Sequence, residues 1–503
     1  MKATLHIDIA NPVSRIDDRL FGSFIEHMGR AIYTGVYEPG HPLADGNGFR
    51  RDTEELIRPL GLSHIRYPGG NFLSGYDWLD GIGPKEDRPV RPEAAWFAIE
   101  PNQVGTDEFL RWCERLGVAP MMGVNLGTGT PASAAALLEY VNGSLPTHYA
   151  DLRRKNGRET PYGVKLWCLG NEMDGPWQIC AKTAEEYGRV ACETAKLMKW
   201  IDPSIELIAC GSSFREMPTF GAWERTVLRH CYPHIDYLSL HQYYANNDGD
   251  IPSFLARSLD MNDFIREVAG ICGEIKRELD AERDIGLSFD EWNVWYHFQK
   301  EGYDPPKWTV GRPIEEERYD VTDALLVGCM LNTLINNADT VKIACLAQLV
   351  NVIAPIMTEP GGAAWAQTIY YPFLYASRYG RGTALRTLAD APGYDCAGRK
   401  DVPCMDCAAV LSGDETEVVL FLINRDQGQP VVCEVILKGT RSGAGAKTAI
   451  GRISLSGCAP ETANTKTSAP FMPQTSEQIV PAGERPLVTL EPFSWNMIRI
   501  PLA

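Results

Sequence analysis

Leu166-Trp167-Cys168-Leu169-Gly170-Asn171-Glu172 is a short apolar run that ends in a glycine, an amide and a carboxylate. An amphipathic segment, Thr183–Lys199, follows it, and then a second apolar run, Glu206–Cys210. Strand, helix and strand in this order imply two parallel strands in one sheet. The same alternation extends outward in both directions. Candidate strands are Phe21–Glu26, Ser63–Tyr67 and Pro120–Asn125 before it, and Tyr237–His241, Gly286–Asp290 and Val341–Ala347 after it. Thr106–Leu116 and Asp260–Leu279 are further amphipathic segments between them. Eight strands predict closure into a (β/α)8 TIM barrel, an α/β fold, over residues 17–375. No Gly-x-Gly-x-x-Gly follows the first strand, which weighs against a dinucleotide-binding sheet.

After residue 376 helical periodicity fades. Glu417–Ile423, Val431–Leu437 and Asn496–Ile500 read as strands between Gly- and Asp-rich turns. They predict a C-terminal all-β sandwich, jelly-roll-like, of residues 376–503. Residues 1–16, with the period-two strand Ala3–Ile9, are expected to join it, making that domain discontinuous.

In such a barrel the chemistry gathers where the strands end, because the loops that follow them converge there. Two strands end in a glutamate among aromatics: the fourth, at Glu172, and the seventh, Leu287-Ser288-Phe289-Asp290-Glu291-Trp292-Asn293, at Glu291. These strands lie on opposite sides of the mouth, so the two side chains can face each other. Most of the 65 acidic residues serve only to solvate the surface. A carboxylate at the end of a buried strand costs free energy unless a function retains it. A facing pair suits double displacement at an acetal carbon, with one carboxylate attacking and the other moving the proton.

The formal net charge of -17 argues against nucleic acid and against an anionic membrane as partners. No apolar run is long enough to span a bilayer, and the first residues carry no signal-peptide pattern, so a cytoplasmic location is expected. The 14 scattered cysteines read as reduced thiols. Cys404-Met405-Asp406-Cys407 has zinc-knuckle spacing without a second pair to complete four ligands, and is read as strand. Gly445-Ala446-Lys447-Thr448 superficially resembles a phosphate loop but lacks its glycines. Asn142-Gly143-Ser144 is a glycosylation sequon without meaning in an unsecreted protein.

Four segments, taken in order, resemble the α-L-arabinofuranosidases of glycoside hydrolase family 51. They are Phe21-Gly22-Ser23-Phe24-Ile25-Glu26-His27, Ile65-Arg66-Tyr67-Pro68-Gly69-Gly70-Asn71-Phe72, Trp167 through Trp177, and Asp290-Glu291-Trp292-Asn293-Val294-Trp295-Tyr296. The resemblance implies Glu172 as general acid/base and Glu291 as nucleophile. It implies that Asn171 bonds the sugar 2-hydroxyl, while Glu26 and Asn71 hold its outer hydroxyls and Gln348 makes another sugar contact. Arg66 would brace the carboxylates, Tyr243 would hold the nucleophile and His241 would support the acid/base. Trp96 and Trp295 would wall the sugar and aglycone. The expected activity is retaining, exo-acting release of terminal α-L-arabinofuranosyl residues from arabinan- or arabinoxylan-derived oligosaccharides. No cofactor or metal is called for, and a homo-oligomer, by the family a hexamer, is expected. A retaining β-xylosidase or β-glucanase of the same clan is the alternative. A non-catalytic sugar-binding protein is the rival from outside enzymes, against which the two intact glutamates argue.

Overall fold

A computed structural model describes residues 1–297, 304–439, 448–481 and 484–502. Eight parallel strands close into a barrel in sequence order: Gly22–Phe24, His64–Tyr67, Ala119–Val124, Leu166–Leu169, Glu206–Ala209, Tyr237–Tyr244, Gly286–Val294 and Val341–Leu346. The eighth strand pairs with the first through Cys345 and Leu346, which completes the ring. All eight coincide with the strands read from sequence. The sixth and seventh run three or four residues further, carrying Tyr243 and Glu291 inside the ladder rather than beyond it.

Helix starts follow local chemistry. The helix Ala184–Ile201 begins at Thr183, whose hydroxyl accepts the Glu186 amide at 3.3 Å while the Glu186 carboxylate accepts the Thr183 amide at 2.9 Å. This reciprocal cap satisfies donors that the first turn leaves free. Helix Val321–Asn336 differs, because it is buried all round and mostly apolar. Such a helix must be covered on both sides. It lies between the barrel and the C-terminal strands, where Asn332 donates to Asp406 at 2.6 Å and Asn336 to the Cys407 carbonyl at 2.9 Å.

The C-terminal part is mostly β, as its sequence predicts. Its layers come from one continuous nine-stranded sheet that curls around its own apolar core. In spatial order the strands are Gln474–Val480, Thr448–Leu455, Ser494–Pro501, Glu417–Asn424, Met405–Ser412, Gly382–Asp390, Lys2–Arg15, Val431–Lys438 and Leu487–Leu490. The N-terminal strand sits deep in this order, antiparallel to Gly382–Asp390 and parallel to Val431–Lys438. It runs past the predicted Ile9 to Arg15 by means of irregular register around Pro12, which has no amide to donate. Cys407 lies in strand Met405–Ser412, and all fourteen cysteines are free thiols. Gly445, Ala446 and Lys447 of the phosphate-loop look-alike lie outside the described residues. The Asn142 side chain is spent internally, donating to the Val164 carbonyl and to Asp202.

Candidate active site

The barrel mouth brings together groups from six of the eight strands. Gly170 ends the fourth strand at φ 89°, and the chain then turns through Asn171 to Glu172 at φ 44°. A left-handed glutamate costs roughly 1–2 kcal/mol, and such strain concentrates at functional sites. The turn aims Glu172 across the mouth. Its Oε1 accepts the His241 Nδ1–H at 3.0 Å and its Oε2 accepts the Trp177 indole N–H at 2.7 Å.

Glu291 comes from the seventh strand through a local irregularity. Ser288 pairs with Ser239 and Glu291 with His241, so three steps on one strand match two on its neighbour; the ladder to the eighth strand slips in the same place. This is a β-bulge, and bulges re-aim side chains beside active sites. It lets Asp290 and Glu291 both reach inward, where strict alternation would send them to opposite faces. Glu291 Oε1 accepts from Arg66 at 2.6 Å and Oε2 from the Tyr243 hydroxyl at 2.8 Å. One oxygen of Glu172, one of Glu291 and a ring nitrogen of His241 all lie within 4.8 Å of one another.

Charge balance explains the cluster. Burial opposes the charge on His241, but the Glu291 carboxylate, with Asp290 and Glu172, pushes it up to about 10. His241 is therefore an imidazolium at neutral pH, with Nε2 3.4 Å from Asp290. Burial also opposes the Arg66 charge, and Asp290 and Glu291 outweigh it. Asp290 is fully buried, yet Arg66 and His241 hold its carboxyl below the ordinary range. Two cations thus face three carboxyl groups. Arg66 packs its guanidinium over Phe24 at 4.8 Å and donates to Asn171 Oδ1 at 2.7 Å. The Asn171 Nδ2 is buried and has no partner among the described residues. Burial and the nearby Glu291 charge keep the Tyr243 phenol protonated, as a donor.

Glu26 follows the first strand and is buried at the barrel mouth. Its Oε1 accepts the Phe72 amide and the Trp96 indole, both at 2.9 Å, and Gln348 Nε2 lies 3.2 Å from Oε2. Burial, only partly offset by these donors, raises its carboxyl to about 8. Asn71 heads the adjoining turn, half-buried, with its side chain unbonded among the described residues. Trp96, which sequence leaves in an unplaced loop, caps a small hairpin between Arg91–Glu93 and Ala98–Glu100. Trp295 stands edge-on to Tyr243, with ring centroids 5.0 Å apart, and its indole donates to Glu315 at 2.8 Å.

Comparison with known proteins agrees with this geometry. Residues 56–257 match the model of the α-L-arabinofuranosidase 1 domain, and residues 290–494 match that of the α-L-arabinofuranosidase C-terminal domain. The chain is 54% identical to the Bacillus subtilis protein named intracellular exo-α-(1→5)-L-arabinofuranosidase 1, over 88% of each chain. A solved family 51 α-L-arabinofuranosidase from Bifidobacterium longum superposes with a TM-score of 0.92 at 39% identity, covering 99% of both chains. That of Thermotoga maritima, solved with arabinose, gives 0.89 at 32% identity over the whole of both. The chain belongs to the family 51 α-L-arabinofuranosidases. It is a glycoside hydrolase.

In this family 51 hydrolase several residues at the mouth went unassigned from sequence. Asp290 was hidden by the bulge. Trp177 ends the segment Trp167–Trp177, and its partner Glu172 is five residues away, but nothing local signals that the indole folds back. Asp174 accepts the Ser213 hydroxyl at 2.5 Å and so ties the loop carrying Glu172 to the loop after the fifth strand. Burial, aided by the Glu172 charge, raises the Asp174 carboxyl to about 6. Glu172, His241 and Glu291 are also, among the described residues, the group whose ligand atoms cluster closely enough for a metal ion. Their surroundings suit a cation poorly, because Arg66 and the His241 imidazolium already supply the positive charge there.

Proposed function

We propose that this hydrolase is an exo-acting, retaining α-L-arabinofuranosidase that releases terminal arabinofuranosyl residues from arabinan- or arabinoxylan-derived oligosaccharides. Glu291 is the nucleophile and Glu172 the acid/base. The observation that carries this reading is the approach of the two carboxylates within 4.8 Å, each held in a different way. Retaining enzymes set their carboxyl pair about 5–5.5 Å apart, whereas inverting ones leave room for a water between them.

The environments divide the roles. Glu291 has an arginine on one oxygen and a phenol on the other, which fix its orientation for attack. Its oxygen attacks the anomeric carbon as the bond to the leaving oxygen breaks. Glu172 lies toward solvent beside the half-exposed Trp177, where an aglycone can reach it, and it gives its proton to that leaving oxygen. In the second step Glu172 takes a proton from water, whose oxygen displaces Glu291 from the anomeric carbon. Two inversions give net retention.

The remaining groups suit one furanose. The Asn171 Nδ2, without a partner among the described residues, is a buried donor available to the 2-hydroxyl, a bond that strengthens as positive charge develops on the sugar. Glu26, Asn71, Trp96 and Gln348 form a blind end for the outer hydroxyls, which supports exo rather than internal cleavage. Trp295, beside Tyr243, walls the pocket. We take residues 17–375 as the catalytic barrel and residues 1–16 with 376–503 as the second domain. The intracellular names of relatives support a cytoplasmic enzyme acting on imported fragments, and the family supports a hexamer.

Turnover of nitrophenyl α-L-arabinofuranoside against nitrophenyl β-xyloside tests the substrate. Preference for the arabinoside by about tenfold or more, 1.4 kcal/mol in barrier, is expected. The opposite preference would favour the clan's β-xylosidases. A linear α-(1→5) arabino-oligosaccharide, shortened one residue at a time from its non-reducing end, is the matching natural assay.

A further inference from the structure

The wall behind the sugar is assembled from two segments far apart in the chain. In the hairpin carrying Trp96, the Glu93 carboxylate accepts the amides of Ala95 at 2.7 Å and Trp96 at 2.8 Å. The segment 304–315 lies against this hairpin. Its Trp308 amide donates to the Phe97 carbonyl at 2.6 Å, and its Thr309 carbonyl accepts the Ile99 amide at 3.2 Å. Arg312, only 5% exposed, spans the junction. Its Nε donates to the Pro305 carbonyl at 2.9 Å, one terminal nitrogen meets the Asp304 carboxylate, and the other donates to the Trp96 carbonyl at 3.3 Å. Three residues further on, Glu315 accepts the Trp295 indole, and its carbonyl accepts the Ile353 amide at 2.9 Å. One segment therefore ties the Trp96 side of the pocket to the Trp295 side.

We infer that Arg312 is a positioning residue for substrate: by clasping the Trp96 carbonyl it keeps that indole on Glu26 and fixes the wall that the furanose meets. The inference rests on the function proposed above. A planar guanidinium holds two loops in one relative geometry, which a flexible ammonium does not reproduce. With the clasp intact, Trp96 is ordered before the sugar arrives. Without it, that ordering is charged to binding. The chemical step draws on Glu172 and Glu291, which Arg312 does not touch, so the effect falls on KM.

The test uses the full chain with Arg312→Lys, Arg312→Ala, Trp96→Ala and the Trp96→Ala/Arg312→Lys double variant. The readouts are kcat and KM on nitrophenyl α-L-arabinofuranoside, L-arabinose affinity by calorimetry, and the thermal midpoint. In Arg312→Lys, KM and the arabinose Kd should rise together by about fivefold or more while kcat stays within about twofold; in the Trp96→Ala background the same change should add less than about twofold, since the two residues act as one unit. Additive losses, or unchanged KM and arabinose affinity, would overturn the inference. So would failure of both Arg312 variants to fold, which would make the arginine a folding residue. An unaltered enzyme that binds arabinose but releases none from the aryl substrate would instead overturn the function proposed above, and the affinity series would still test the clasp.

Discussion

Glu26 holds a proton where a solvent-exposed glutamate would have lost it. Its carboxyl is raised from the ordinary 4.5 to about 8 by burial. The unfolded chain releases that proton near 4.5 and the folded one near 8, so folding takes up a proton between these values. This group's contribution to stability is therefore complete below pH 4.5 and declines by about 1.4 kcal/mol per pH unit through the window, levelling off above 8. Glu26→Gln removes the titration. Its amide will also meet the Gln348 amide unfavourably, but that penalty does not depend on pH. Chemical denaturation at pH 5.5, 7 and 8.5 should show the variant gaining on the unaltered protein as pH rises; parallel pH dependences would contradict the buried, protonated carboxyl. At the catalytic pair, Glu291→Ala should abolish turnover, with azide restoring some activity and giving inverted product. Glu172→Ala should spare aryl substrates with very acidic leaving groups far more than natural ones, because those need no proton. Equal loss on both would remove Glu172 from the acid role. Glu172 and Glu291 were legible because each ends an apolar run beside tryptophan. Asp290 was not, because alternation assigns neighbouring residues to opposite faces and only the register of the flanking strands reveals the extra residue.

At the scale of elements, the eight barrel strands stood out as short apolar runs bounded by glycine and polar residues, since a parallel strand is buried on both faces. The hairpin Gly393–Cys396 and Arg399–Pro403 was not anticipated, being largely exposed and mixed in composition. The hairpin carrying Trp96 escaped notice because its strands are three residues long and its shape depends on contacts with the segment 304–315. The turn after the second strand shows how tightly an element can be specified. A β-carbon on Gly70 would lie 2.3 Å from Glu26 Oε2 and 2.7 Å from its Cδ. Glu26 is held by three donors and cannot retreat cheaply. Gly70→Ala is expected to cost about 1–3 kcal/mol of stability through overpacking. It should also lower kcat/KM by about tenfold or more, as Glu26 and Trp96 are displaced. A variant with unaltered KM and arabinose affinity would mean that Glu26 moves without consequence for the sugar.

At the scale of the whole molecule, the barrel and the curled sheet are joined by buried polar contacts as well as by packing. Arg425 donates to Asp406 at 2.6 Å and to Ser258 of the barrel at 2.8 Å, and Asp406 also accepts from Asn332. An ion pair buried at such a junction, with each member also bonded across it, is poorly tolerant of losing one member. The mostly-β character of the C-terminal part was legible from its turns and apolar runs. That its strands form one ladder was not, because the pairing of strands distant in sequence leaves no local signature. Removing residues 1–9 should expose the edges of Gly382–Asp390 and Val431–Lys438 and drive association between chains. Light scattering and soluble yield read this directly, and a monodisperse, fully active truncation would contradict it.

Strand Lys2–Arg15 is synthesised before the barrel, yet both of its neighbours in the sheet, Gly382–Asp390 and Val431–Lys438, are synthesised after it. While the barrel is being translated, Lys2–Arg15 has nothing to pair with. Its insertion between two strands that come after the barrel therefore makes their arrival the event that seals the second core, so the two ends of the barrel segment are fastened together by one sheet.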